Sequence, residues 1–157
     1  MPVFPRRTCL FLILAAAAVF LPGCGPKSVS SLNDLGLRTL TFPDGTKIRA
    51  ELVTREEDLR RGLMYRDSLA DGTGMLFAYG KPGTYKYWMY NVKFPIDILW
   101  LDENRRIVQI IHKIPPCTMT ADQCPVYGGD YESLYVIEVN AGVAEKHNLK
   151  PGMFIEF

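Results

Sequence analysis

Residues 96–112 read IDILWLDENRRIVQIIH. Two apolar runs, Ile96–Leu101 and Arg106–His112, flank the polar tetrapeptide Asp102-Glu103-Asn104-Arg105. Apolar runs of this length around a polar break predict a β-hairpin. The pattern has a precedent earlier in the chain, where Leu37–Phe42 and Lys47–Val53 surround Pro43-Asp44-Gly45. Proline fixes φ for a turn and glycine supplies positive φ, so this too predicts a hairpin. In its second strand Ile48, Ala50 and Leu52 share one face, and Lys47, Arg49 and Glu51 the other.

Further strands are predicted at Gly74–Tyr79, Tyr85–Asn91, Leu134–Val139 and Met153–Phe157, with an irregular segment from Pro115 to about Ser133. In Tyr85–Asn91 alternation sets Lys86, Trp88 and Tyr90 on one face and Met89 on the other. Thr54-Arg55-Glu56-Glu57 has the form of a capping box, with Leu59 and Leu63 on one face of the helix that follows and Gly62 keeping it short. Asn140 is the expected cap of a second short helix. The sum is a mainly β chain, β-rich α+β, of about eight short and mostly antiparallel strands with two short helices. A compact small barrel, which closes its own edges, is the expected architecture, and an open α+β sandwich is the alternative.

The N-terminus sets the compartment. Arg6 and Arg7 precede an apolar run from Cys9 to Leu21, shorter than the roughly 20 residues of a membrane span. Residues 1–23 are expected to be a lipoprotein signal peptide, because Leu21-Pro22-Gly23-Cys24 resembles a bacterial lipobox. That resemblance implies a lipid on Cys24, a cleaved leader and attachment to the membrane of the cell envelope. The small and polar residues that follow, within 24–36, are expected to tether a single domain spanning 37–157.

Charge excludes one class of partner. The chain carries 18 basic and 17 acidic residues, with no basic stripe or tail once Arg6 and Arg7 are removed. Nucleic acid is therefore not an expected partner. Export bears on the cysteines as well. With Cys9 in the leader and Cys24 lipidated, Cys117 and Cys124 remain, and an oxidising compartment favours a disulfide between them. The competing reading adds His112 as a third ligand to a metal, with fewer ligands than a structural zinc site holds. Met64, Met75, Met89, Met119 and Met153 are numerous, but none stands close to another and to a histidine, so they are expected to fill core rather than hold copper. No metal or cofactor is expected.

Three stretches carry a family resemblance: GLMYRDSLADGTGMLFAYG, YWMYNVKFPIDILWLDENRRIVQI and PPCTMTADQCPVYGGDYESLYVIEVNAGVAEKHNLKPG. They resemble the bacterial and archaeal domain-of-unknown-function family 192 (DUF192), over about Leu37 to Phe157. The resemblance implies a small single domain, often exported, and no settled biochemical activity. Its recurring positions fall here on Arg60, Gly62, Leu63, Met64, Arg66, Gly74, Met75, Phe77, Trp88, Met89, Asn91, Pro95, Asp97, Tyr127, Glu138 and Gly142. Two of these are carboxylates inside apolar strands. Alternation puts Asp97 with Leu99 and Leu101, and Glu138 with Leu134 and Val136. Burial raises a carboxylate's pKa unless a cation or hydrogen bonds compensate, and Arg60, Arg61 and Arg66 are the expected partners.

These residues leave two functions open. The first is a binding or scaffold domain with a groove at Arg60, Met64, Arg66, Trp88, Asn91, Asp97, Tyr127 and Glu138. Its ligand would be an envelope glycan, peptide or protein. The second is a hydrolase or lyase using Asp97 and Glu138 as acid and base. The two diverge on one point of geometry, namely whether the carboxylates converge in an open cleft or lie in separate networks.

Overall fold

The hairpin of residues 96–112 forms, its first strand inside a sheet and its second at the sheet's edge. The computed structural model describes residues 36–157. Its strands are β1 (Leu37–Thr41), β2 (Lys47–Val53), β3 (Thr73–Gly83), β4 (Lys86–Trp88), β5 (Ile96–Leu101), β6 (Ile107–Ile114), β7 (Val126–Gly128) and β8 (Ser133–Asn140). Two short helices, α1 (Glu56–Arg61) and α2 (Val143–Lys146), complete a β-rich α+β fold. The expected signal peptide at 1–23, the lipid on Cys24 and the tether as far as residue 35 lie outside the described residues.

Six strands make one sheet in the order β1-β2-β3-β8-β5-β6, while β4 and β7 pair as a separate two-stranded ribbon. Neighbours in both are antiparallel except β2 and β3, which run parallel and are joined across α1. The sheet is not closed into the expected barrel. A barrel strand faces one interior and one exterior, whereas all six residues of β5 are buried. Its two faces serve two different cores. Leu99 and Leu101 pack with Leu40, Leu76, Ile137 and Ile155. Ile96, Ile98 and Trp100 pack with Leu63, Phe77, Tyr87 and Val136. A sheet covered on both sides has no reason to curl shut.

The last residues do not form the expected full strand. They make isolated bridges instead, Glu156 to Thr41 and Phe154 to Arg106, and so span the two sheet edges at one end. The expected strand at Tyr85–Asn91 is shorter, because only Lys86–Trp88 finds a partner, in β7 within the segment expected to be irregular. That ribbon is pinned by Trp100, which is fully buried and donates from Nε1 to the Tyr85 carbonyl at 2.9 Å. Gly128 lies against the indole with φ +74°, and a Cβ there would come 2.3 Å from Trp100 Cζ2, so only glycine fits.

Both helix starts differ from expectation. Arg55, not Thr54, takes the N-cap position of α1, in extended conformation and without a side-chain capping bond. Glu56, Glu57 and Asp58 still place negative charge at its positive end, and Gly62 ends it. Asn140 does not cap α2; its Nδ2 donates to the Leu69 carbonyl at 2.8 Å. The capping acceptor comes from another strand, as Asp97 Oδ2 takes the Ala144 amide at 2.9 Å. Cys117 and Cys124 are joined as a disulfide. Their sulfurs are thereby unavailable as thiolate ligands, and His112 is exposed on β6. Among the described residues no cluster of three or more His, Cys, Asp or Glu could hold a metal ion.

Candidate functional site

The two buried carboxylates sit on neighbouring strands, and the pairing register separates them. In β5 and β8 Asp97 stands opposite Val139, and Ile98 opposite Glu138. Residues directly opposite each other share a face, so Asp97 and Glu138 point to opposite sides of the sheet. Asp97 is fully buried and accepts the Lys113 amide on Oδ1 at 2.7 Å and the Ala144 amide on Oδ2 at 2.9 Å. One carboxylate thus ties the end of β6 to the start of α2, which is an architectural task.

Glu138 is 4 % exposed, and its Oε2 has no hydrogen-bond partner. It lies at an open cleft of about 520 Å³, a size suited to a small ligand. The cleft forms because α1 and the turn after it cover this face of β3 and β8 incompletely. Leu59, Leu63, Met64, Phe77, Tyr87 and Val92 make its apolar wall, and Arg60, Arg61, Lys86 and Trp88 stand among its lining residues. Gly62 lies beside the Glu138 carboxyl. Its φ of +48° with ψ of −131° is a glycine conformation, and a Cβ there would lie 3.7 Å from Glu138 Oε2 and 3.3 Å from Phe77 Cζ.

Electrostatics follow from burial. Desolvation raises the Glu138 pKa from its ordinary 4.5 to about 8, and the Arg66 charge opposes this only in part. Arg66 is committed elsewhere, donating from Nη1 and Nη2 to the two oxygens of Glu51 at 2.6 and 2.7 Å. Near neutrality Glu138 is therefore mostly a neutral acid, able to donate a hydrogen bond or to ionise beside a cation. Tyr79 and Tyr87 join their hydroxyls at 2.8 Å along the same wall. Burial pushes Tyr79 up to about 12 and Tyr87 well above its usual 10.0, so both keep their protons.

Of the eight residues expected in the groove, Arg60, Met64, Trp88 and Glu138 line this cleft. Arg66 lines an adjoining depression of about 490 Å³, which shares Arg61, Gly62 and Met64 with it. The other three are elsewhere. Asp97 faces the opposite side of the sheet. Asn91, with φ +59°, exchanges bonds with Tyr65: its carbonyl accepts the Tyr65 amide and its Nδ2 donates to the Tyr65 hydroxyl, both at 2.9 Å. Tyr127 pairs across the ribbon with Tyr87. Sequence reasoning missed Lys86 and Tyr79 as site residues. Alternation in KYW does separate Tyr87 from Trp88, and Tyr87 is buried while Trp88 is 39 % exposed.

An open sheet with a core on each face and a short helix over one of them defines a class of small β-rich α+β domain. The chain belongs to the DUF192 family, described as "Uncharacterized ACR", whose model matches residues 39–157. Two solved structures share the fold. One is a protein of unknown function from Novosphingobium aromaticivorans, 28% identical, with a TM-score of 0.69 over 77% of this chain and 85% of that one. The other, from Sinorhizobium meliloti and provisionally named a transcription regulator, is 28% identical with a TM-score of 0.67 over 75% of this chain and 89% of that one. No curated protein matches the chain significantly.

Proposed function

We propose that this chain is a small-molecule-binding domain, held at the bacterial cell envelope by a lipid on Cys24, with the Glu138 cleft as its binding site. The observation that carries the reading is the unpartnered Oε2 of a buried carboxyl group at an open, mostly apolar cleft. A buried polar atom without a partner costs about 1–3 kcal/mol, and a ligand that pairs with it recovers that cost. The envelope address rests on Arg6, Arg7, the apolar run and the lipobox-like Leu21-Pro22-Gly23-Cys24. A glycan fragment, a short peptide or part of a protein partner would each reach such a cleft. The hydrolase or lyase reading loses support, since its two carboxylates occupy opposite faces of one sheet.

The test is a ligand-observed NMR screen of a mixed library of small amphipathic molecules against the full chain in detergent micelles. The expected hits compete with one another and are lost in Gly62→Val, which fills the space above Glu138, and in Glu138→Gln. Hits that bind both variants as well as the parent, or no hits at all, would overturn the site. For the address, Cys24→Ser is expected to move the protein out of the membrane fraction or leave an unprocessed precursor. Unchanged attachment and mass would refute lipidation.

A further inference from the structure

The cleft joins two kinds of charge in one small volume. Its buried end holds the Glu138 carboxyl, with no hydrogen-bond partner on Oε2, among aromatic rings. Phe77 and Tyr87 meet edge to face at 5.2 Å, and Tyr79 lines the cleft beside them. These neighbours give Oε2 no hydrogen bond, so an ionised Glu138 is left to pair with a cationic group of a ligand. The lining also includes three basic side chains. Arg60 is paired with Glu56, but Arg61 and Lys86 are exposed and have no ion-pair partner among the described residues. Those two cations offer a seat for an anion. A purely cationic ligand would meet repulsion from Arg61 and Lys86, and a purely anionic one would find nothing to pair with an ionised Glu138.

We propose that the cleft takes the α-ammonium group of an apolar amino acid, free or at the head of a peptide, with the ammonium on Glu138, the side chain on the apolar wall and, in the free amino acid, the carboxylate towards Arg61 and Lys86. The proposal rests on the cleft being the binding site, and it names the chemistry of the occupant. The wall of Leu59, Leu63, Met64 and Val92 suits an aliphatic side chain, and about 520 Å³ leaves ample room for one. An ammonium held on Glu138 requires the carboxylate form. The neutral acid that prevails near pH 7 in the empty site must therefore lose its proton as the ligand binds. The other charged or titratable groups around Glu138 are Arg66, already bonded to Glu51, the protonated Tyr79 and Tyr87, and the lining residues Glu56, Arg60, Arg61 and Lys86. None of these has to change its charge between pH 6 and pH 8 for the ligand to bind.

Isothermal titration of the full chain in micelles tests this with L-leucine, L-leucinamide, N-acetyl-L-leucine and Leu-Gly-Gly, each in two buffers of different ionisation enthalpy. Four results are expected. L-leucine binds with release of about one proton at pH 7, and its affinity rises about tenfold per pH unit up to about pH 8 and then levels. N-acetyl-L-leucine, which has no ammonium, binds at least tenfold more weakly. Glu138→Gln removes both binding and proton release. Lys86→Met and Arg61→Met weaken L-leucine but not L-leucinamide. Leu-Gly-Gly binding as tightly as L-leucine would assign the site to peptide heads, and weaker binding would assign it to free amino acids. Equal affinity for N-acetyl-L-leucine, or binding without proton release, overturns the proposal. If the screen above yields cleft-directed hits and none of them bears an ammonium group, the occupant is wrong and the binding site stands. If it yields none, both fall.

Discussion

Asp97 and Glu138 are two carboxylates on adjacent strands, in similar apolar company, and both are buried. One has backbone amides on both oxygens, and the other leaves an oxygen unpaired beside a cleft. Burial alone therefore says little about the purpose of a charged group. What separates architecture from a site is whether the protein itself supplies the partners. Asp97 serves as a distant cap for α2 and a clasp on β6, and its cost of burial is met by the bonds that hold the fold. Glu138 has no such return within the chain, and a structure that keeps it beside an opening gives up stability there.

The largest expected effect follows from that loss. In the unfolded chain Glu138 titrates near its ordinary 4.5, whereas in the folded chain it titrates at about 8. Between these values the folded state holds the extra proton, so stability falls as pH rises from about 4.5 to about 8 and is level above that. The loss across this window is on the order of 5 kcal/mol. Urea unfolding from pH 5 to pH 9 should show this decline in the parent protein and a much flatter profile in Glu138→Gln, which should be the more stable of the two at pH 9. Parallel profiles would mean that an internal partner satisfies Glu138 after all, and the contrast with Asp97 would be gone.

The next effect probes the other side. Asp97→Ala leaves the Lys113 and Ala144 amides without their acceptor. A buried donor left without its acceptor costs about 1–3 kcal/mol, and two are left here. At pH 8 the same truncation at Glu138 is expected to cost far less. Equilibrium unfolding of the two alanine variants under one condition decides the matter, and equal costs would break the distinction.

Much of this contrast was legible in the sequence, and the part that was not has a physical reason. Alternation correctly placed Asp97 with Leu99 and Leu101, and Glu138 with Val136, because a strand's period is local. Which face each strand turns to the other depends on register. Register is a property of the pairing between β5 and β8, and no residue in either strand announces it. The same limit explains the two helix starts. Thr54 and Asn140 have good capping chemistry, yet Arg55 took one position and the Ala144 amide found an acceptor 47 residues away in sequence. Closure into a barrel also failed as an inference. The six consecutive apolar-strand residues IDILWL carried the sign of two-sided burial, which speaks for a layered sheet. The ribbon partner of Lys86–Trp88 lay in a segment whose prolines and glycines hide a three-residue strand.

The smallest effect is also the most specific, because it concerns the cation whose charge lowers the Glu138 pKa. Arg66 gives its guanidinium to Glu51, yet its charge still draws the Glu138 pKa down against desolvation. The Glu51 carboxyl is in turn held below its ordinary 4.5, chiefly by the Arg66 hydrogen bond. Replacing Arg66 by methionine keeps much of the side chain's bulk and removes both influences. The Arg66–Glu51 pair is partly exposed, so solvent screening limits its worth to about 0–1 kcal/mol and the fold should survive. Carboxyl-carbon NMR titration should then show two shifts in the same direction, with Glu51 returning towards its ordinary value and Glu138 rising further. The neutral form of Glu138 would extend to higher pH, and the pH-dependent loss of stability would begin at the same acid limit but run further into alkali. A Glu138 titration unmoved by Arg66→Met would show that the carboxyl is compensated by something other than this arginine, and that the cleft is electrostatically closed to the side on which Arg66 lies.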